Sequence, residues 1–516
     1  MNGLDLQRLS LSSMLKKLLY LLTFLSINVT NAQIKPTKNS VLNYRVIGFQ
    51  VPANPKAASY ILRVALDSVV NEEYLERRTE IELQSSSNKI IATVPYFNMS
   101  YTWQVSYADK TGKIIGKSPI SYFKTGYIKY VDSSQYKLRV LKNNIQDKNI
   151  FVMLDNSGVM YDLDGYPVWY LPKLSSLDTN MHIMRDLKPT NDGTFTALFE
   201  NAIYEFDYNG KVLWSGPQNG VKLLESTPVY HHEFTKLKNG HYMVAGNEII
   251  ENEMQGDIKD ADTGNTVVRN NKRYRKSTSG NILEYDKSGK LVWSWRSSDI
   301  FPSNEITGFN NRRISSGTHM NSFYFDEDSN VVYIGFRNIS KILKIKYPSG
   351  KLIAMYSGKM PERFQRSERA EAVRGNVVNE DEEMFSSQHA CRVEKGRVYI
   401  FNNNTTKSTD FASMAQIYKE PESNSGMLRK IWSYPCNIDT FTTAGSPTGG
   451  SIYPISDTTM LVCTGGSGRV FIVDMKKNLL WNAIPYFKRM DGELKPLPQY
   501  RVSYLRKEDL YMFLFK

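Results

Sequence analysis

The chain has 516 residues, 41% of them hydrophobic and 23% charged, a balance that excludes wholesale disorder, collagen and coiled coil. At roughly 100–200 residues per domain, this length allows two to four domains. The formal net charge is +13, but the basic residues form no long run and no nucleic-acid module accompanies them; they read as a solvated surface, or as a field that steers anionic small molecules to a cleft.

The first element is an address. Lys16 and Lys17 precede a mostly apolar stretch from Leu18 to Val29, followed by Thr30-Asn31-Ala32. This is the order of a basic segment, an apolar core and a small-residue cleavage site, placed here before Gln33. Residues 1–32 are expected to be a signal peptide, which reads better from Met14. The apolar core is too short for a comfortable transmembrane helix, and the residue directly after the cleavage site is Gln33, not Cys. The expected product is exported, without stable membrane insertion: periplasmic if the source has two membranes, otherwise secreted or at the cell surface.

Residues 33–130 are expected to form a small β-sandwich of immunoglobulin or fibronectin type. Apolar alternation recurs in Leu42–Val46, Tyr60–Val64, Ile90–Val94 and Tyr101–Val105, the last running into the turn Ala108-Asp109-Lys110-Thr111-Gly112. The aromatic content of 12% also leans towards β-structure.

Residues 131–516 repeat. An apolar strand leads into Asp-x-x-Gly and then into apolar residues ending in Trp. The clear copies are Tyr161–Gly165 ending at Trp169, Phe206–Gly210 ending at Trp214, and Tyr285–Gly289 ending at Trp293. Degenerate copies follow at Tyr347–Ile353, at Gly426 with Trp432, and at Val473–Asn478 before Trp481. Each reads as a tight hairpin between two outer strands. A second hairpin lies upstream of most, as in Glu233–Leu237, Lys238-Asn239-Gly240 and Tyr242–Ala245. Two hairpins per repeat make a four-stranded blade, so the expected fold is all-β: a six-bladed β-propeller preceded by the sandwich. Tyr504–Phe515 is expected to close the ring by pairing with the first blade. Polar insertions are read at about 250–281, 358–385 and 402–414.

Only six His occur in the chain. Four start the first strand of a repeat: His182, His232, His319 and His389. Equivalent strand ends of several blades converge on one mouth of a propeller's channel, and four scarce imidazoles at one topological position are hard to explain by packing. His231 and His241 read as ordinary structural residues. Arg337 follows Val331–Phe336, the second strand of the His319 repeat, and is expected on the same face as His319. Its planar fork suits a sulfate, phosphate or carboxylate.

His319-Met320-Asn321-Ser322, with Arg337-Asn338-Ile339-Ser340-Lys341-Ile342 following, resembles the bacterial arylsulfotransferases. The segments Ser387-Gln388-His389 and His231-His232-Glu233-Phe234 strengthen the resemblance. It covers nearly the whole chain after the address. It implies transfer of a sulfuryl group from a phenolic sulfate ester to an acceptor phenol, with no nucleotide donor, cofactor or metal. By the same resemblance His389 is the nucleophile that becomes transiently sulfated. His232, His319 and Arg337 hold the sulfate oxygens and serve proton transfer, and Asn321 orients its neighbours or contacts the sulfuryl group; His182, by its own place at a strand start, is expected to join the substrate-binding set. Family members can be homodimers. Some relatives carry a closely spaced disulfide near the site, for which this chain has no cysteine pair.

A neutral imidazole is a competent nucleophile at neutral pH. Charge on sulfuryl oxygens calls for preorganised cationic donors. Three other readings stand beside this one. A metal-dependent hydrolase or lyase would use the same His cluster, although the only adjacent carboxylate, Glu233, should point away from His232 on a strand. A non-catalytic binding propeller would keep the fold alone. Cys391, two residues after His389, would serve as a nucleophile with His389 as its base.

Overall fold

The computed structural model describes residues 34–67, 71–126, 136–172, 174, 184–224, 227–253, 266–301, 318–359, 384–404, 412–424, 426–438, 446 and 448–515. The chain divides into two compact units, one reaching Gly126 and one running from Tyr127 to Leu514. Nearly all regular structure in both is β-strand.

In the first unit a six-stranded sheet is built on Ser59–Leu66 and Ser100–Ala108, and a two-stranded sheet pairs Val46–Gln50 with Lys89–Thr93. Phe49 of the small sheet meets Trp103 and Phe123 of the large one edge-on, at 5.2 and 5.9 Å between ring centroids. The stretch Leu42–Val46, expected as one strand, is broken. Leu42 ends a strand of the large sheet, Val46 begins one of the small sheet, and the intervening residues carry the chain from one to the other.

The second unit is propeller-like. Among the described residues it contains six large antiparallel sheets, four of them built from consecutive strands alone, and a two-stranded one that pairs Lys222–Leu224 with Thr227–Pro228. The first sheet orders Pro167–Tyr170, Val159–Tyr161 and Ile150–Leu154, and its last place is taken by Val502–Arg506 from the far end of the chain. The first strands of the next five sheets are Met184–Pro189, Tyr230–Lys236, Met320–Asp326, His389–Glu394 and Ser451–Ser456. These strands neighbour one another in succession, and Val502–Arg506 neighbours both the first and the last of the five.

The Asp-x-x-Gly motif explains the outer hairpins. Asp207 Oδ1 accepts from the backbone N–H groups of Asn209 and Lys211, both at 2.9 Å, while Gly210 takes φ 84°. Asp162 with Gly165 and Asp286 with Gly289 repeat the device. The carboxylate mimics a backbone turn and glycine supplies the left-handed residue at low steric cost. The tryptophan ending the motif reaches the following sheet. Trp169 Nε1 donates to the Tyr208 carbonyl at 3.0 Å and Trp293 Nε1 to that of Pro348 at 2.6 Å. Trp481 Nε1, in the sixth sheet, donates to the Leu163 carbonyl of the first at 2.7 Å.

Two expectations change. Much of the insertion at 250–281 is ladder: Tyr242–Glu253 pairs with Lys272–Tyr285 along its whole length, and Thr266–Arg269 adds a strand beside it. Its Thr, Val, Ile and Tyr residues suit a strand, despite the polarity that suggested a loop. At the C-terminus only Val502–Arg506 pairs with the first sheet, while Leu510–Leu514 is a short helix. Tyr136–Asn143 adds a strand to the outer side of the sixth sheet.

Candidate active site

The site is prepared by irregularities where strands begin. In the second sheet Arg185 pairs with Leu198, one residue is then extruded, and Asp186 takes φ 55°. In the fifth sheet His389 pairs with Phe401, one residue is extruded, and Ala390 takes φ 50°. His232 (φ 59°) lies in a wider bulge of the third sheet, where His231–Glu233 stand opposite Ala245 alone, and His319 (φ 53°) immediately precedes the bulged start of the fourth. Left-handed non-glycine residues cost on the order of 1–3 kcal/mol each. Bulges re-aim side chains and cluster beside active sites.

His389 is buried, and its Nδ1 lies 2.7 Å from Asn403 Oδ1. The orientation of that amide is set by its other end, since Asn403 Nδ2 donates to the carbonyls of Ser446 at 2.7 Å and Gly449 at 3.0 Å. Asn403 therefore presents oxygen to the ring, His389 carries its proton on Nδ1, and the lone pair resides on Nε2. Burial pushes the ring down to about 3, helped by the charges of Arg337 and Arg501 and opposed by the Asn403 bond. The imidazole is neutral at physiological pH. The backbone at Gly450 closes this corner: its N–H donates to the Tyr500 carbonyl at 2.9 Å, its φ is 104°, and a Cβ there would lie 2.2 Å from the Phe401 ring.

A second imidazole is oriented in the same way. His231 Nε2 donates to the Gly246 carbonyl at 2.8 Å, which leaves its Nδ1 as an acceptor, 2.7 Å from His232 Nδ1. His232 therefore also carries its proton on Nδ1 and its lone pair on Nε2. Burial pushes His231 down to about 4. Burial again, then His231, His319, Arg185 and His389, holds His232 well below the usual imidazole range. The His232 ring meets that of His319 edge-to-face, with centroids 5.1 Å apart.

The motif segments are tied to one another. The Arg337 N–H donates to the His319 carbonyl at 3.0 Å. Asn321 Nδ2 donates to the Gln388 carbonyl at 2.7 Å, Gln388 Nε2 to that of Lys341 at 2.9 Å, and the Ser387 N–H to Ser340 Oγ at 3.0 Å. Asn321 thus joins the segments that carry His319 and His389.

Tyr500 stands among these groups. Its ring centroid lies 5.8 Å from that of His232 and 6.2 Å from that of His389, and the Arg185 and Arg501 guanidinium carbons each lie 5.3 Å from it. Burial pushes its hydroxyl up to about 12. Asp155 holds the Tyr500-Arg501 turn, accepting from the Tyr500 N–H at 3.1 Å and the Arg501 N–H at 2.8 Å. Beyond it Arg501 pairs with Asp186 at 3.0 Å and with Glu233, and donates to the Asn321 carbonyl at 3.1 Å. Lys188 completes this buried network, 2.9 Å from Asp186 and 2.6 Å from Glu233. Glu233 is therefore turned from His232 into an ionic core. A cavity of about 250 Å³ is lined by Lys188, Glu233, Arg392, Tyr453 and Arg501, but by none of His232, His319 or His389.

His182 lies outside the described residues. His241 pairs with Glu284 at 2.8 Å, away from the cluster. Burial pushes the Cys391 thiol up, so it keeps its proton at neutral pH, contrary to what a nucleophile requires. Cys436 and Cys463 are buried free thiols. Among the described residues no three His, Cys, Asp or Glu side chains are grouped to hold a metal ion, and no helix is long and apolar enough to cross a membrane. Asn403, Tyr500, Arg501, Arg185 and the orienting part of His231 escaped the sequence reading. The run Asn402-Asn403-Asn404 was a visible signal, but only the pairing of His389 with Phe401 places Asn403 beside the imidazole.

Fold and site together define a propeller-like all-β protein that holds neutral, oriented imidazoles beside guanidinium groups. The sequence model of the arylsulfotransferase (ASST) family matches residues 132–470, and the chain belongs to that family. This membership supports arylsulfotransferase activity on small aryl substrates. No curated protein matches the chain. Solved structures similar to it include a protein of unknown function from Bacteroides caccae, with 10% identity over 69% of this chain and 98% of that one and a TM-score of 0.38. The periplasmic gluconolactonase PpgL of Pseudomonas aeruginosa has 11% identity over 72% and 99%, with a TM-score of 0.35. The β-propeller domain of Cps50 (Swd1) from Myceliophteria thermophila has 9% identity over 70% and 91%, with a TM-score of 0.32. At these values the likeness carries no argument about activity.

Proposed function

We propose that this protein moves a sulfuryl group from a phenolic sulfate ester to an acceptor phenol by a ping-pong route through sulfo-His389. The observation that carries the proposal is the Asn403 bond, which leaves the lone pair of a buried, neutral His389 on Nε2. In the first half-reaction Nε2 attacks sulfur, the bond from sulfur to the aryl oxygen breaks, and its electron pair leaves with the phenolate. Arg337 offsets charge on the sulfuryl oxygens, and His319 lies beside it through the backbone bond from Arg337 to the His319 carbonyl. Losing one preorganised donor of this kind costs about 2.7–4 kcal/mol of barrier. In the second half-reaction His232 Nε2 takes the acceptor's phenolic proton. The phenolate oxygen attacks sulfur, and the N–S electron pair returns to His389. Asn321 orients the two motif segments, and His182 is retained as a substrate-binding candidate.

We further propose that the six sheets are blades of one closed ring. In support, Val502–Arg506 completes the first sheet, and Trp481 reaches from the sixth sheet to the first. The N-terminal unit is proposed as an immunoglobulin-like sandwich, and the segment before Gln33 as an export signal that delivers the protein to the periplasm or cell surface.

The test uses p-nitrophenyl sulfate with the purified protein. Without acceptor, wild type should release about one nitrophenolate per site and retain an acid-labile sulfo-histidine; added phenol should restore turnover. H389A should show neither burst nor turnover. The burst rate should have no inflection near the ordinary imidazole value of about 6.5 and should fall only as pH drops towards about 3, where the nucleophile gains its proton. Wild-type turnover by H389A would refute the assignment.

A further inference from the structure

Arg185 occupies, in the second sheet, the place that His389 occupies in the fifth. Each is the last regular pair before a one-residue bulge, and each precedes a left-handed residue. Both approach the ring of Tyr500, Arg185 at 5.3 Å from its centroid and His389 at 6.2 Å between centroids. The charge of Arg185 reaches the other side of the cluster as well, where it disfavours protonation of His231 and His232.

Among the described residues this guanidinium, unlike that of Arg501, has no carboxylate partner. Arg501, on the same tyrosine, is committed to Asp186 and Glu233. Asp186, next to Arg185 in the chain, belongs to that network too. Arg185 is half-buried, and among the described residues it has neither a carboxylate at ion-pair distance nor a hydrogen-bond acceptor. Five N–H donors in a planar fork are held over a tyrosine by the strand geometry, at a cost to the imidazoles nearby. Such a fork matches a carboxylate or sulfate bidentately. The sulfuryl group already has a cation of its own in Arg337, whose charge bears on His389, whereas that of Arg185 bears on the His231–His232 pair.

We infer that the site takes phenols and phenolic sulfate esters carrying a second anionic group, a ring carboxylate, and that Arg185 binds it. The inference rests on the sulfuryl-transfer proposal and names the substrate class. The phenolic oxygen is directed to His389 and His232, and the carboxylate to Arg185 along the face of Tyr500.

The experiment compares 4-hydroxybenzoate with its neutral counterpart 4-hydroxybenzamide as acceptors from p-nitrophenyl sulfate. Charge-assisted hydrogen bonds of this type correspond to about a ten- to hundredfold effect. Wild type should therefore favour the carboxylate in kcat/KM by about that factor. R185Q should bring the ratio close to one, and R185K, which keeps the charge, should retain part of it. A wild-type ratio near one, a ratio preserved in R185Q, or equal loss with both acceptors would overturn the inference; equal loss would make Arg185 a ligand of the sulfuryl group. Absence of transfer with every acceptor would instead count against the sulfuryl-transfer proposal. Calorimetric binding of the two compounds to wild type and R185Q decides the matter without turnover, and equal affinities throughout would again overturn it.

Discussion

At the scale of single residues, the proposed mechanism turns on where two protons sit. An imidazole in water exchanges its proton between nitrogens, and only one tautomer has its lone pair where the chemistry needs it. Asn403 makes that choice for His389, and His231, anchored on the Gly246 carbonyl, makes it for His232. N403A should lower kcat by about ten- to a thousandfold with a smaller change in KM, since loss of an orienting partner permits the wrong tautomer. N403D should keep the tautomer and recover part of the rate. Its carboxylate would raise the His389 value from about 3 and so move the acidic limb of the burst-rate profile to higher pH. An unchanged profile in N403D would remove Asn403 from this role. His389 and His232 were legible in the sequence as scarce residues recurring at strand starts. Asn403 was not, because it lies on a neighbouring strand and its partner is set by register.

At the scale of strands, the bulges turn ordinary ladders into a site. Alternation would place His389 and Cys391 on one face. The left-handed Ala390 between them breaks that relation, and Cys391 enters the apolar cluster with Tyr333 and Tyr356 while His389 contacts Tyr500. A β-branched residue is a severe outlier at positive φ. A390V should therefore lose about 1–3 kcal/mol of stability in urea unfolding and displace His389, lowering the nitrophenolate burst. A390G tolerates the same φ and should stay within about 1 kcal/mol of wild type. Equal behaviour of the two variants would mean that the bulge carries no strain. The hairpin motif was readable because Asp, Gly and their spacing specify a turn locally. The bulges were not, because an extra residue has meaning only against the strand it fails to match.

At the scale of the whole second unit, the ends of the repeat array hold the site. Val502–Arg506 completes the first sheet, and the two residues before it, Tyr500 and Arg501, pass through the imidazole cluster and the ionic network. Arg501 also donates to the Asn321 carbonyl, so one side chain links Val502–Arg506 to the strand that carries His232 and to the strand that follows His319. Deleting residues 502–516 should abolish a single cooperative urea transition followed by far-UV circular dichroism, because it leaves the Ile150–Leu154 edge unpaired. A deletion protein with the wild-type midpoint would show that the strand contributes no closure.

The sequence by itself determined what depends on neighbours along the chain: the alternation of strands, the Asp-x-x-Gly turns, the repeat they mark, and the recurrence of His where repeats begin. These signals are local, since turn chemistry and side-chain period act over a few residues. Only the tertiary structure decided which nitrogen of His231, His232 and His389 holds its proton, that Arg185 has no carboxylate partner among the described residues, and that Glu233 is paired with Lys188 and Arg501. Those outcomes depend on groups up to 315 residues apart in sequence, as in the pairing of Arg501 with Asp186. Burial and register, rather than residue type, set their charge and aim.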